Sequence, residues 1–371
     1  MRILYISKSI IPSRSANSIH VMKMCQAFSD NGHEVILIAP DIKNKYEKGI
    51  KDIFEYYGVQ KNFEIKKLWH PNSKLGAIIY TFFIFVYLLS NNFDLVYGRF
   101  LHGCYIASLL KKKVIFELHE VISEIKDHRN IVFKKLLKSK YLKKLIVISQ
   151  ALKNIYLEKK YLNKIEIQVA HDGADEIKNF HSKIELLGYQ EKLKVGYVGH
   201  LYKGRGIETI IECARNIKDM TFHLVGGLKE DIEFWKSYSN KLRIDNIYFY
   251  GFVSPKESVK YRNSFDILLA PYEKKVSISG NSVSDTGKFM SPLKIFEYMS
   301  HKKAIIASDL PVIREVLNER NSVLVKSDDI NLWINAIKKL KDLKNRELIG
   351  NQALRDFYSY TWKNRAYLVM N

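Results

Sequence analysis

Two short stretches in the second half of the chain carry residues suited to holding phosphate. The first, Gly199-His200-Leu201-Tyr202-Lys203-Gly204-Arg205-Gly206, joins the strand-like run KVGYV to the helical pattern IETIIECA. Glycines let a backbone approach a ligand, a helix start offers N–H groups, and Lys203 and Arg205 add two cations, which together can hold phosphate without a metal. The alternative is a glycine-rich turn with solvated basic side chains. The second stretch, FMSPLKIFEYMS from Phe289 to Ser300, reads as a helix start, with Ser291 as N-cap and Pro292 at the first helical position. Lys294 then falls in the first turn, where the helix dipole disfavours a cation by roughly 0.3–1 kcal/mol unless an anion sits there. Glu297 lies one turn on, sharing a face with Leu293 and Lys294, where a carboxylate could grip a ribose diol by two hydrogen bonds. The structural alternative is a Lys294–Glu297 pair, with Ser291 capping the amides itself.

Both stretches follow apolar runs, and such runs organise the whole chain. RILYI, EVILIA, FEIKKLW, DLVYG, VIFEL, LIVIS and IEIQVA occupy the first half; LKVGYVG, TFHLVGG, NIYFYG, DILLAPY, KAIIAS and SVLVK the second. Helix-period segments such as Ile19 to Phe28, GIETIIECARNI and NLWINAIKKL lie between many of them. Apolar strands alternating with helices predict parallel sheets covered on both faces. The pattern restarts after the polar, turn-rich stretch His171 to Lys192, which places a hinge between about 175 and 192. The expectation is an α/β chain of two doubly wound, Rossmann-like domains, 1–180 and 190–352, facing across a cleft, with ligands at the carboxyl ends of the strands.

Composition narrows the function classes. Three cysteines, Cys25, Cys104 and Cys213, are widely separated, which excludes a disulfide framework and a zinc site and fits a reducing cytosol. MRILYIS already reads as a buried strand, so no signal peptide is expected. Ser327-Asp328-Asp329 reads as a loop before the helix NLWINAIKKL, and no metal site is expected. The net charge of +21 implies either a generally basic surface or a partner bearing negative charge. No nucleic-acid module with interleaved aromatics is visible.

With these motifs in order, the chain resembles a retaining glycosyltransferase of the GT-B fold, in glycosyltransferase family 4, over nearly its whole length. RSANSIHVMKMCQAFSDNGHEV resembles the family's opening loop and helix, and FELHE its strand ending in a histidine. Asp172-Gly173-Ala174-Asp175 matches its hinge phrase, GHLYKGRG its phosphate loop, FMSPLKIFEYMS part of its E-x7-E helix, and KKAIIASDLPVIREVL the wording after that helix. DFYSYTWKNRAYLV resembles the closing helix, 353–371, that returns to the first domain. The resemblance implies that Glu297 holds the ribose of a nucleotide diphosphate sugar, uridine in preference to guanosine. It places Arg205, with Lys203, at the diphosphate, and His119 at the donor sugar. The donor wall is then Ser291, Pro292, Leu293 and Lys294 with Gly199 and His200, while Phe252 and Val253 read the base. Ser15, Ala16 and Asn17 form the loop nearest donor phosphate or acceptor. The implied reaction is retaining, with same-face attack and no metal or other cofactor.

Four positions depart from the family's wording. Phe289 stands where the first glutamate of E-x7-E belongs, so a usual contact to the donor sugar is missing; Asp285 and Asn281 are the candidates to replace it. His200 replaces the arginine of the phosphate loop, an exchange that Lys294 can offset. The first loop lacks its glycine pair, and Lys302 and Ala304 replace a glycine and a proline. The missing glutamate keeps a non-catalytic, nucleotide-sugar-binding subunit as the alternative function. The basic charge concentrates in His128 to Leu145, where Phe133, Leu136, Leu137 and Tyr141 share a helical face beside Lys134, Lys135 and Lys138. A basic amphipathic helix over Asn130 to Leu145 predicts contact with an anionic membrane, on the cytoplasmic leaflet, where a glycan or lipid-linked acceptor would be met. Leu75 to Ser90, apolar and uncharged, is too short to span a bilayer and reads as a core helix, with a shallow membrane contact as the alternative.

Overall fold

The computed structural model describes residues 1–123, 127–159, 165–276 and 285–371, and the chain divides into two compact units, Met1–Asp172 with Trp362–Asn371, and Gly173–Thr361. In the first unit the strands are β1 (Arg2–Ile6), β2 (Glu34–Asp41), β3 (Glu64–Trp69), β4 (Leu95–Gly98), β5 (Val114–Leu118), β6 (Leu142–Val147) and β7 (Ile167–Val169). They form one parallel sheet in the order β3-β2-β1-β4-β5-β6-β7. The central strands are buried along almost their whole length because helices cover both faces, and that is why they read as unbroken apolar runs. β3 lies at the edge, and its alternation EIKKLW reflects a half-solvated strand.

The second unit holds β8 (Leu193–Val198), β9 (Met220–Val225), β10 (Ile247–Gly251), β11 (Ile267–Ala270), β12 (Ala304–Ser308) and β13 (Val323–Val325), again all parallel, in the order β10-β9-β8-β11-β12-β13. One face of this sheet packs on the helices Ile207–Asn216 and Ile330–Lys339, with Trp333 fully buried among Ile210, Phe222 and Leu224. Asp329 caps the helix Ile330–Lys339 by accepting from Asn331 and Leu332, and Asp328 pairs with Lys274 at 2.8 Å, so this acidic pair serves the loop. In each sheet the chain reverses direction of strand addition once, between β1 and β4 and between β8 and β11. These switch points are where an open parallel sheet leaves a crevice at its carboxyl edge.

Three expectations change. The basic segment is not one helix over Asn130 to Leu145. A helix capped by Asp127 runs His128–Leu137, and the chain then enters β6 at Leu142. Phe133 and Leu136 are buried in the unit's own core, with the Phe133 ring against Phe116 and Tyr156. Lys144 points to the Gln168 amide oxygen of β7 at 3.2 Å. Sheet pairing has overridden helical spacing here, and the predicted membrane face is spent inside the unit. The helix Gly76–Ser90 is core on one side only, through Tyr80, Ile84 and Leu88. Residues 353–371 are divided: Leu343–Phe357 is a helix of the second unit, and after a short turn Trp362–Met370 packs on the helix Ala16–Asp30 of the first. The three cysteines are buried free thiols.

Candidate active site

In the second unit the phosphate-type loop starts where β8 ends, at the switch point. Gly199 donates to Val225 O at 2.9 Å, and a Cβ on Gly226, at φ +112°, would stand 2.2 Å from Gly199 O. Gly206, at φ +72°, leaves room for Pro271 O, which a Cβ would meet at 1.7 Å. Gly204 and Glu273 exchange backbone and side-chain hydrogen bonds at 3.1 and 3.3 Å, so the loop is stitched to the segment following β11. Arg205 is thereby placed over the rings of Tyr202 and Tyr272, at 5.0 and 5.5 Å, and donates to the Tyr202 hydroxyl at 3.1 Å. His200 stacks on Tyr202, its carbonyl accepts from the Tyr197 hydroxyl, and Lys203 is exposed on the turn.

The helix facing this loop begins at Leu293, with Pro292, not Ser291, at the N-cap and no side-chain cap. Ser291 is buried just before it, and Pro292 and Leu293 are half-buried. Lys294 does not pair with Glu297. Its ammonium sits 3.4 Å from the centre of the Tyr197 ring and 5.2 Å from that of Tyr272, with Gly199 leaving the space it needs. Among the described residues no carboxylate lies within ion-pair distance of it. Burial, and secondarily Arg205, pull its pKa well below the usual lysine range, against a smaller opposing effect of Glu297. A buried ammonium beside a guanidinium is a site short of negative charge, and a diphosphate would supply it.

Glu297 is held instead by Arg262, whose Nη1 donates to it at 3.3 Å. Arg262 is itself buried, and its Nε donates to His301 Nε2 at 3.3 Å, while His301 Nδ1 faces Glu297 O. Burial and Arg262 push the His301 pKa well down, which matches a neutral ring accepting from Arg262. Phe252 and Val253 follow β10, half-buried, just before the Ser254-capped helix Pro255–Ser264. Phe289 is half-buried. Asp285 is tied to a turn, accepting from the Val276 and Gly287 amides at 3.0 and 2.9 Å, and Asn281 lies outside the described residues.

The first unit gathers a second constellation at the end of β5. Glu117 is completely buried and its carboxylate accepts from the Tyr97 hydroxyl, from His119 Nε2 and from Arg365 Nη2, the last at 3.0 Å. His20 lies between two carboxylates, Nε2 3.0 Å from Glu117 and Nδ1 3.0 Å from Asp172, edge-on to the rings of His119 and Trp362. Arg365 also donates to the carbonyls of His171 and Ala170. Burial alone would raise the Glu117 pKa; Arg365, with His20 and His119, outweighs it and holds the carboxyl well below its usual range. Burial and then Arg99 lower His119 to about 3, against the opposing pull of Glu117. His119 is therefore neutral, with its proton on Nε2 facing Glu117 and Nδ1 left as an acceptor. Such a ring suits contact with a hydroxyl better than proton abstraction. The ligand atoms of His20, Glu117 and His119 lie within 4.8 Å of one another, a spacing that would also suit a metal ion, but the Arg365 guanidinium already supplies positive charge to Glu117.

Ser15, Ala16 and Asn17 are exposed at the start of the helix Ala16–Asp30, where Ser15 is the N-cap and shares a hydroxyl cluster with Ser13 and Ser18. The structure thus brings Gly199, His200, Arg205 and Lys294 together, and sets His119 and the Ser15–Asn17 loop in the other unit. Sequence reasoning missed His20, Glu117, Asp172 and Arg365, although all four stand inside the stretches SIHV, FELHE, DGAD and DFYSYTWKNRAYLV that carry the resemblance. It also missed Arg262 and the three tyrosines.

Residues 18–176 match the family model described as Glycosyltransferase Family 4, and residues 192–342 that described as Glycosyl transferases group 1. An uncharacterized glycosyltransferase of Methanocaldococcus jannaschii is 25% identical over 391 residues, covering 95% of this chain and 93% of the relative. A putative teichuronic acid biosynthesis glycosyltransferase, TuaH of Bacillus subtilis, is 27% identical over 128 residues, 34% of this chain and 29% of its own length. Among solved structures, Anabaena HepE in complex with UDP aligns with TM-score 0.71 at 14% identity, covering 100% of this chain and 98% of that one. A TarM variant of S. aureus, in complex with fondaparinux, α-GlcNAc-glycerol and UDP, aligns with TM-score 0.70 at 11% identity, covering 100% and 99%.

Proposed function

We propose, since this chain belongs to the group 1 and family 4 glycosyltransferases of GT-B fold, that it moves a sugar from a nucleotide diphosphate sugar to a glycan or lipid-linked acceptor in surface polysaccharide synthesis, with retention and without a metal. The observation that carries the donor reading is the buried Lys294 ammonium beside Arg205, lacking a carboxylate at ion-pair distance among the described residues. Uridine is favoured as the base because HepE and TarM were solved with UDP.

In this reading the bond from the anomeric carbon to the diphosphate oxygen breaks, and the acceptor hydroxyl attacks the same face while its proton passes to the leaving phosphate. Arg205, Lys294 and the amides of Leu293 and Lys294 stabilise the charge that builds on the diphosphate, with Lys203 at the rim. Glu297, steadied by Arg262, takes the ribose hydroxyls; Phe252 and Val253 take the base. His119 offers Nδ1 to a sugar hydroxyl, and Ser15–Asn17 face the acceptor. In this reading the protein works peripherally at the cytoplasmic face of the membrane, where a lipid-linked acceptor would be met. Among the described residues no helix is long and apolar enough to cross a membrane.

Calorimetric titration with UDP tests the donor site. Glu297→Ala and Arg205→Ala should each weaken binding with the fold retained, and unchanged affinity in both would remove the assignment. Phe289 favours one rival, a nucleotide-sugar-binding subunit without catalysis. Turnover over a panel of donors and acceptors separates the two, since the rival predicts binding with no transfer.

A further inference from the structure

The helix Gly76–Ser90 carries no charged residue, and only one of its faces is used by the fold. Tyr80, Ile84 and Leu88 are buried, and the Tyr80 hydroxyl donates to Ser7 O at 2.6 Å, pinning the helix to the loop that follows β1. On the other side Leu75, Ile78, Phe82, Val86 and Leu89 fall within an arc of about 80°, over a length of about 20 Å. They are open to solvent: Ile78 is 67% exposed, Phe82 58% and Leu89 61%. Trp69, the last residue of β3, is 57% exposed and meets Phe83 edge-on at 5.9 Å. A soluble helix covers such a face, so this one calls for an occupant.

Charge decides which occupant. From Ile65 to Phe93 the chain has three lysines, Lys66, Lys67 and Lys74, and no aspartate or glutamate. Lys66 and Lys74 are exposed, while Lys67 lies over the ring of Tyr46 at 3.8 Å. A second copy of the chain would bring these lysines against its own on a protein of net charge +21, which opposes pairing through this face. An apolar stripe bounded by lysines and an exposed tryptophan matches the boundary of an anionic bilayer, where an amphipathic helix lies in the interface plane with its apolar face inward.

We infer that the helix Gly76–Ser90, with Trp69, Lys66 and Lys74, docks the protein in the surface of an anionic lipid membrane, its apolar stripe among the acyl chains and its lysines at the phosphates. The inference deepens the reading of a lipid-linked acceptor and rests on it. Because Trp69 ends a parallel strand and Tyr80 holds Ser7, the docked face adjoins the carboxyl edge of the first sheet. A lipid-borne acceptor would then reach the Ser15–Asn17 side without leaving the bilayer.

Flotation of the full chain with vesicles of phosphatidylcholine, alone or with phosphatidylglycerol, tests this. Recovery should require the anionic lipid, and Ile78→Glu with Phe82→Glu should lower it by about tenfold or more. Tryptophan emission should shift to the blue on anionic vesicles, and Trp69→Phe should abolish the shift, because Trp333 and Trp362 are buried and the Trp235 indole is bonded to Leu201 O. Equal flotation of the double variant, equal recovery on neutral vesicles, or a dimer that the double variant dissociates would overturn the inference. UDP titration separates it from the functional reading: a double variant that still binds UDP but no longer floats supports the surface. Flotation by a chain that transfers no sugar keeps the surface and removes the acceptor.

Discussion

Replacing Lys294 by methionine sets ligand binding against stability in a way that few substitutions do. The side chain is 8% exposed, its ammonium lies 3.4 Å from the centre of the Tyr197 ring, and Arg205 adjoins it. Two unit charges 4 Å apart interact by about 4 kcal/mol at an effective dielectric near 20. After the loss of hydration on both sides, a charge-assisted hydrogen bond retains about 2–3 kcal/mol. Lys294→Met should therefore raise the Kd for UDP by about 30- to 150-fold. The unliganded protein should be no less stable, because methionine fills a similar volume without burying an amine whose charged form the site disfavours. Its Tm should hold or rise by about 2–4 °C. A third signature comes from linkage. Burial and Arg205 depress the Lys294 pKa in the free protein, and a bound diphosphate restores the charged form, so binding takes up a proton. Affinity falls as pH rises, and titrations in buffers of different ionisation enthalpy should show proton uptake in the wild type and less in Lys294→Met. A Kd within about twofold of the wild type, with proton uptake unchanged, would refute the placement of the diphosphate.

Two further outcomes follow from the buried groups. Arg365→Met leaves the Glu117 carboxylate without its guanidinium and should cost about 3–5 kcal/mol by urea denaturation, while adding Glu117→Gln should recover much of it. Glu117 has a folded pKa held below its unfolded value, so its stabilising contribution is fully present above the unfolded pKa of about 4 and is lost as pH falls from there towards the folded pKa. The double variant should lose less stability as pH falls below about 4, and equal acid losses there would remove Glu117 as their source. Gly206→Ala forces a Cβ toward Pro271 O at φ +72°, so the loop must open; UDP binding should fall and the thermal transition with it. Unchanged binding would show that the loop adapts.

The strands were legible because helices cover both sheet faces and leave each central strand a continuous apolar run. The meeting of Arg205 and Lys294 was legible too, because their segments follow β8 and β11, which lie side by side in the sheet. Contacts that join distant segments without a shared pattern were not. Arg365 reaches Glu117 across 248 residues, and nothing in the local wording of either marks the other. Arg262 supports Glu297 from a different helix. The lysine-rich stretch failed for another reason. Leu142 to Val147 fits a helical stripe as well as a strand, and only pairing with β5 and β7 decides between them. The same ambiguity hid the exposed stripe of Gly76–Ser90, since a helix apolar all round does not declare which side the core takes.

The return of Trp362–Asn371 to the first unit also orders events during synthesis. Residues 1–172 leave the ribosome well before 362–371, with all of 173–361 translated in between. Until then β5 holds a carboxylate whose guanidinium has not yet been made, and the Trp362 ring is absent from the edge of His20. The nascent first unit waits with a charged gap in its core, and its last folding step coincides with the arrival of the segment made after the second unit. A ribosome that stops short of residue 365 would release a chain whose first unit lacks the guanidinium that pairs with Glu117.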